Sequence, residues 1–173
     1  MKAVRILAVL LAACLVATSC REQPAAPSAP APQADLVGSL LQPTGLLKCS
    51  VLSADSDTET IGIAGGTLTA GPHTLVIPSG ALKQPTKITM SIRTDRGEVN
   101  AVHFEPEGLR FERSASLTMS YSNCDLLGKL LPKRIAYADD ALSIISYLLS
   151  FDNLWGKRVT GKLDHFSDYV VAW

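Results

Sequence analysis

The chain is 173 residues long, 47% hydrophobic and 18% charged, with 16 Lys and Arg against 16 Asp and Glu. The basic residues form no stripe or cluster, which excludes the electrostatic footprint that nucleic-acid binding requires. With its first 35 residues set aside, the length suits a single domain with one sizeable core.

The first twenty residues carry the three parts of an export signal. Lys2 and Arg5 make a positive start, residues 6–16 form an apolar stretch, and Ala17, Thr18 and Ser19 bring small side chains up to Cys20. The apolar stretch is too short to cross a hydrocarbon core of about 30 Å as a helix. The order resembles a lipobox, in which a diacylglyceryl group is added to the cysteine thiol and cleavage leaves that cysteine first. Ala17 departs from the leucine most often found at its position. The expectation is a lipoprotein signal peptide over 1–19 and lipidation at Cys20, against an ordinary cleaved signal with a chance cysteine. Loss of Lys2 and Arg5 leaves 14 basic residues against 16 acidic ones. Arg21 is not the aspartate that resembles an inner-membrane retention signal, so the expected address is the cell envelope, at the outer membrane, facing the periplasm or the surface.

Residues 20–35 hold the lipidated cysteine followed by a linker of Pro, Ala, Ser and Gln, with Pro24, Pro27, Pro30 and Pro32. Such a composition cannot bury enough apolar surface to offset chain entropy, and the prolines extend it to about 30–45 Å. Residues 36–60 read as an extension leading into the domain proper, 61–173. In that extension Asp55, Asp57 and Glu59 alternate like the start of a calcium loop. Thr60 stands where the loop needs glycine, and Gly66 where it needs an acidic closing ligand, so a solvated turn is expected and no metal.

Cysteine arithmetic fixes one cross-link. Cys14 leaves with the signal and Cys20 carries the lipid, so Cys49 and Cys124 remain for an oxidising compartment and are expected to form a disulfide. No histidine lies near either in sequence, which argues against a metal site.

Beyond residue 60 the hydrophobic period is close to two and turn residues recur at short intervals. Strands are expected over 67–69, 74–77, 87–94, 101–105, 116–122, 134–138, 158–163 and 169–173. Breaks fall at Gly65-Gly66, Gly71-Pro72, Pro78-Ser79-Gly80, Asp95-Arg96-Gly97, Pro106-Glu107-Gly108, Asp139-Asp140 and Asp152-Asn153. Residues 141–149 fit one face of a helix or a hairpin strand, and the strand is favoured. Many short strands with closely spaced turns predict an all-β fold, an antiparallel β-sandwich.

Several runs resemble a ZU5 domain. They are Ala64-Gly65-Gly66-Thr67-Leu68, His73-Thr74-Leu75-Val76-Ile77-Pro78-Ser79-Gly80-Ala81-Leu82, and Ile88-Thr89-Met90. Further on come Phe104 to Phe111, then Leu117-Thr118-Met119 and the closing His165-Phe166-Ser167-Asp168-Tyr169. The resemblance covers 62–173. It implies a β-sandwich used mainly for protein interaction and does not imply a substrate; no cofactor is expected.

It also implies one chemistry to weigh. Some ZU5 domains cleave themselves between the Phe and the Ser of a His-Phe-Ser tripeptide. Here Ser167 Oγ would attack the Phe166 carbonyl with His165 as general base, assisted by backbone strain. A relaxed strand places the same three residues without strain, with His165 and Ser167 on one face and Phe166 buried on the other. Tyr147, Phe151 and Trp155 form a further candidate surface, for a partner or a carbohydrate. Three readings follow: a non-catalytic interaction module tethered to a membrane through its lipid, the same module with a self-cleaving strand, and a module binding carbohydrate or an envelope polymer. The partner is expected to be an envelope protein or polysaccharide.

Overall fold

The structure is a computed structural model that describes residues 45–125 and 131–173. The expected signal peptide, Cys20, the linker and residues 36–44 lie outside the described residues.

Eleven strands build the fold: β1 (Ser56–Ile61), β2 (Gly66–Ala70), β3 (His73–Ile77), β4 (Thr86–Ile92), β5 (Ala101–Glu105), β6 (Arg110–Ser120), β7 (Arg134–Ala138), β8 (Ile144–Tyr147), β9 (Ser150–Asn153), β10 (Arg158–His165) and β11 (Tyr169–Ala172). They form a six-stranded sheet, β1-β4-β5-β11-β7-β8, and a five-stranded sheet, β2-β3-β6-β10-β9, with every pairing antiparallel. The expected all-β sandwich is therefore present, and no α-helix occurs among the described residues.

Alternation explains the packing. In β4, Ile88, Met90 and Ile92 face inward while Lys87, Thr89 and Ser91 do not, and β3 buries His73, Leu75 and Ile77 on the opposing sheet. These residues meet Val102, Phe104, Leu117, Met119, Ile135, Val159 and Val171 in one core between the sheets. A second cluster of small residues, Ala101, Ala136, Ala138, Val170 and Ala172, lies on the other face of the six-stranded sheet, against Leu46, Val99, Leu142 and Ile144. Gly65 is required at its turn: its φ is +78°, and a Cβ there would stand 2.3 Å from the Ile77 carbonyl oxygen.

Three elements differ from expectation. The six-stranded sheet begins at Ser56, inside the stretch read as a solvated turn. Asp57 accepts a hydrogen bond from Thr69 N–H at 2.9 Å and Asp55 one from Gly71 N–H at 2.6 Å, so these carboxylates close the open edge of β2. β6 starts at Arg110, six residues before the expected strand, because pairing with β10 extends it through a polar run. The ambiguous 141–149 stretch holds a strand, β8, and the chain then changes sheet to form β9, so Asp152-Asn153 ends a strand where a break was expected.

The disulfide joins Cys49 to Cys124 with an S–S distance of 2.05 Å. Around it Cys49 N–H donates to Glu98 O (2.7 Å), Ser50 N–H to Asn123 O (2.9 Å) and Asp125 N–H to Lys48 O (2.9 Å). The lead-in is also strapped to the last strand, with Leu47 N–H on Val171 O (3.1 Å) and Trp173 N–H on Gly45 O (2.8 Å). The point where the chain enters the domain is thus fastened covalently and by backbone pairing to elements remote in sequence.

Candidate functional site

The tripeptide His165-Phe166-Ser167 lies where the chain leaves β10 in one sheet and crosses to β11 in the other. That position dictates its roles. Phe166 is fully buried, stacked on Phe104 with centroids 4.7 Å apart and an interplanar angle of 11°, and meets Phe111 edge-on at 5.0 Å. Its N–H donates to Leu109 O at 2.8 Å and its carbonyl accepts from Gly108 N–H at 3.0 Å. Tyr169 Oη donates to His165 O at 2.7 Å, which ties the strand start back across the turn in the manner of a tyrosine corner. Burial raises the Tyr169 hydroxyl above its ordinary pKa, so it remains a donor.

Self-cleavage needs Ser167 activated and the backbone strained. No hydrogen bond joins His165 to Ser167 among the described residues, and no residue from His165 to Asp168 has a positive φ. The His165 ring points away from the corner's core, edge-on to Tyr137 at 5.5 Å.

Beyond the corner, Asp168 is a hub. Arg93 Nη1 donates to both its carboxylate oxygens (3.3 and 3.0 Å), Arg96 Nη2 donates to Oδ2 (3.2 Å), and His103 Nδ1 lies 2.7 Å from Oδ1. The Asp168 side chain is 15% exposed and that of Arg96 11%, so the pairs are shielded from water. Arg93 also forks onto Asp95 at 2.8 and 2.7 Å, and this bonding holds the Asp95 carboxyl well below the usual carboxylate range. Arg96 reaches the carboxylate and carbonyl of Asp140. These arginines join the loop after β4, the turn after β7 and the β10–β11 crossing.

A cleft of about 520 Å³ opens on the other side of His165. Tyr137, Tyr147, His165 and Tyr169 supply aromatic surface, and Ser114, Ser146, Lys162 and Asp164 supply polar groups. Ser114 Oγ donates to Asp164 Oδ1 at 2.6 Å, so that serine is committed to a carboxylate. The arrangement offers ring faces, one held carboxylate and one amine. It suits binding a polar molecule with an apolar face.

The aromatic trio expected as a surface is divided. Tyr147 sits on β8 at the edge of the six-stranded sheet, with the Arg134 guanidinium 4.2 Å from its ring centroid. Phe151 and Trp155 share the β9–β10 hairpin of the other sheet and are 75% and 99% exposed. At the base of that hairpin Asp152 accepts from Tyr121 Oη and from Lys133 N–H, each at 2.7 Å.

Sequence reasoning reached Tyr147 and His165, which the fold brings together in the cleft, but singled out neither Asp168 with its arginines nor Tyr137 and Lys162. The spacing Arg93-Thr94-Asp95-Arg96 beside a turn was the available signal for the first. The second depends on two sheets meeting and had none. No protein-family model matches the chain, and no curated protein matches it significantly.

Proposed function

We propose that the chain is an extracytoplasmic lipoprotein, anchored through Cys20, whose β-sandwich is a non-catalytic ZU5-like interaction module. The observation that carries the non-catalytic part is the use made of His165-Phe166-Ser167. Phe166 plugs the corner between the sheets and His165 faces a cleft, with no hydrogen bond between His165 and Ser167. A cleaved Phe166-Ser167 bond would leave β11, a central strand paired to both β5 and β7, without its covalent link to β10. The signal-like start, the lipobox-like run ending at Cys20 and the proline-rich linker support the anchor.

Metabolic labelling with an alkynyl fatty acid tests the anchor. Label on the wild-type chain and none on Cys20→Ala is the expected result, and equal labelling of both would overturn it.

Binding of a carbohydrate or envelope polymer is a second reading, favoured by the ring surfaces of Tyr137 and His165 beside the Ser114–Asp164 pair. Loss of glycan binding on Tyr137→Ala with the fold intact would support it, and unchanged binding would remove the cleft from consideration.

A further inference from the structure

The β9–β10 hairpin ends in a turn that holds large apolar side chains in water. Trp155 is 99% exposed, Leu149 83%, Phe151 75% and Leu154 48%. The turn is tied rather than loose: Asn153 Oδ1 accepts from Gly156 N–H at 2.9 Å, and Lys157 O accepts from Tyr121 N–H at 2.9 Å. Lys157 takes a positive φ of 49° to complete it. A fully exposed indole next to Leu154 in a tied turn, with Phe151 exposed on the adjoining strand, is an apolar feature that asks for a covering surface.

We infer that this surface is an anionic phospholipid bilayer, and that the hairpin is a second membrane contact of the protein. Three observations favour it. First, the patch mixes aliphatic with aromatic side chains. Sugars are recognised by ring faces backed by polar groups, whereas Leu154 beside Trp155 matches the interfacial zone of a bilayer. Second, Lys157 in the turn and Arg158 and Lys162 on β10 are all exposed, where long cationic side chains can lie back toward lipid phosphates. The two carboxylates of the hairpin are both engaged, Asp152 by Tyr121 Oη and Lys133 N–H and Asp164, toward the far end of β10, by Ser114 Oγ. Third, the chain enters the domain beside this edge. A Cβ on Gly45 would stand 2.7 Å from Tyr147 Oη and 2.8 Å from Ile144 Cδ1, and only Leu148 and Leu149 separate β8 from β9. A lipid on Cys20 of the same chain makes insertion effectively intramolecular. The inference rests on the lipid-anchor reading for this local concentration, and on the hairpin alone for its chemistry.

The chain holds two tryptophans, so Trp173→Phe leaves Trp155 as the only indole. The full chain carrying this change, extracted from its membrane, is mixed with vesicles of phosphatidylethanolamine and phosphatidylglycerol that contain lipids brominated along the acyl chains. The expected result is a blue shift of Trp155 emission, quenching by the bromines and protection from aqueous iodide. Lys157→Gln with Arg158→Gln should lower the inserted fraction relative to the free one by about 30-fold, from two lost cations near an anionic surface. A Trp155 that stays accessible to iodide and untouched by bromine overturns the inference. So does a blue shift that appears only on adding an envelope protein or polysaccharide. Mass measurement of the same sample separates the two claims. An unlipidated chain whose Trp155 is still quenched at high vesicle concentration refutes the anchor and keeps the hairpin, and a lipidated chain whose indole stays in water does the reverse.

Discussion

Phe166 stacks on Phe104 across the corner where the chain passes from one sheet to the other, 4.7 Å between ring centroids. This contact makes the most motif-like tripeptide of the sequence a packing element. Both rings are fully buried, so Phe166→Ala should destabilise the domain by about 3–5 kcal/mol through lost transfer energy and a residual cavity. Urea unfolding followed by near-UV circular dichroism measures it. Ser167→Ala, beside it, should change stability far less. An equal loss for both would mean that the corner is held by Ser167 chemistry rather than by the ring.

Asp168 should be the most sensitive charged residue. Asp168→Asn leaves Arg93, Arg96 and His103 around a neutral amide, and removal of one partner from a shielded cluster costs on the order of 3 kcal/mol. The loss should persist in high salt, because the side chain is only 15% exposed. Thermal unfolding at low and high ionic strength distinguishes this from a surface ion pair, whose effect salt would erase.

Reduction should weaken the domain substantially. Cys49 and Cys124 are 75 residues apart, and opening that loop removes about 4 kcal/mol in the chain-entropy model. The Cys49→Ser, Cys124→Ser double variant should unfold at correspondingly lower denaturant, and added dithiothreitol should leave it unchanged while shifting the wild type.

Acid should act first through His73. Its ring is fully buried, its Nδ1 accepts from Ser120 N–H at 3.1 Å, and Nε2 has no partner. Burial lowers its pKa from 6.5 to about 4. The unfolded chain therefore takes up the proton first as pH falls. The stability tied to neutral His73 is intact above about 6.5, declines between about 6.5 and 4, and amounts to about 3 kcal/mol. His73→Gln, neutral throughout, should flatten the unfolding midpoint across that window. Asp95, held low by Arg93, contributes a separate loss only at more acidic pH.

The parts of the fold that were legible share one property: their side chains alternate against a core. β4 and β5 read directly because Ile88, Met90, Val102 and Phe104 sit at period two. β1 did not, because only Ile61 of Ser56–Ile61 is buried and the strand is polar on both faces. The first half of β6 failed for the same reason, since Arg110, Glu112 and Arg113 are exposed and its register comes from β10. From Ile144 to Leu149 only Ser146 interrupts the apolar run, which hides a change of sheet that the surrounding strands decide. The disulfide was legible by counting. The Asp168 hub and the cleft were not, because each is assembled from segments tens of residues apart that only the sandwich topology brings together.

Intact mass of the protein extracted from its membrane tests the central claim most directly. A single chain that begins at a lipid-modified Cys20 and is unbroken between Phe166 and Ser167 is the predicted result. A chain cut between Phe166 and Ser167, or one whose amino terminus carries no lipid, would contradict it.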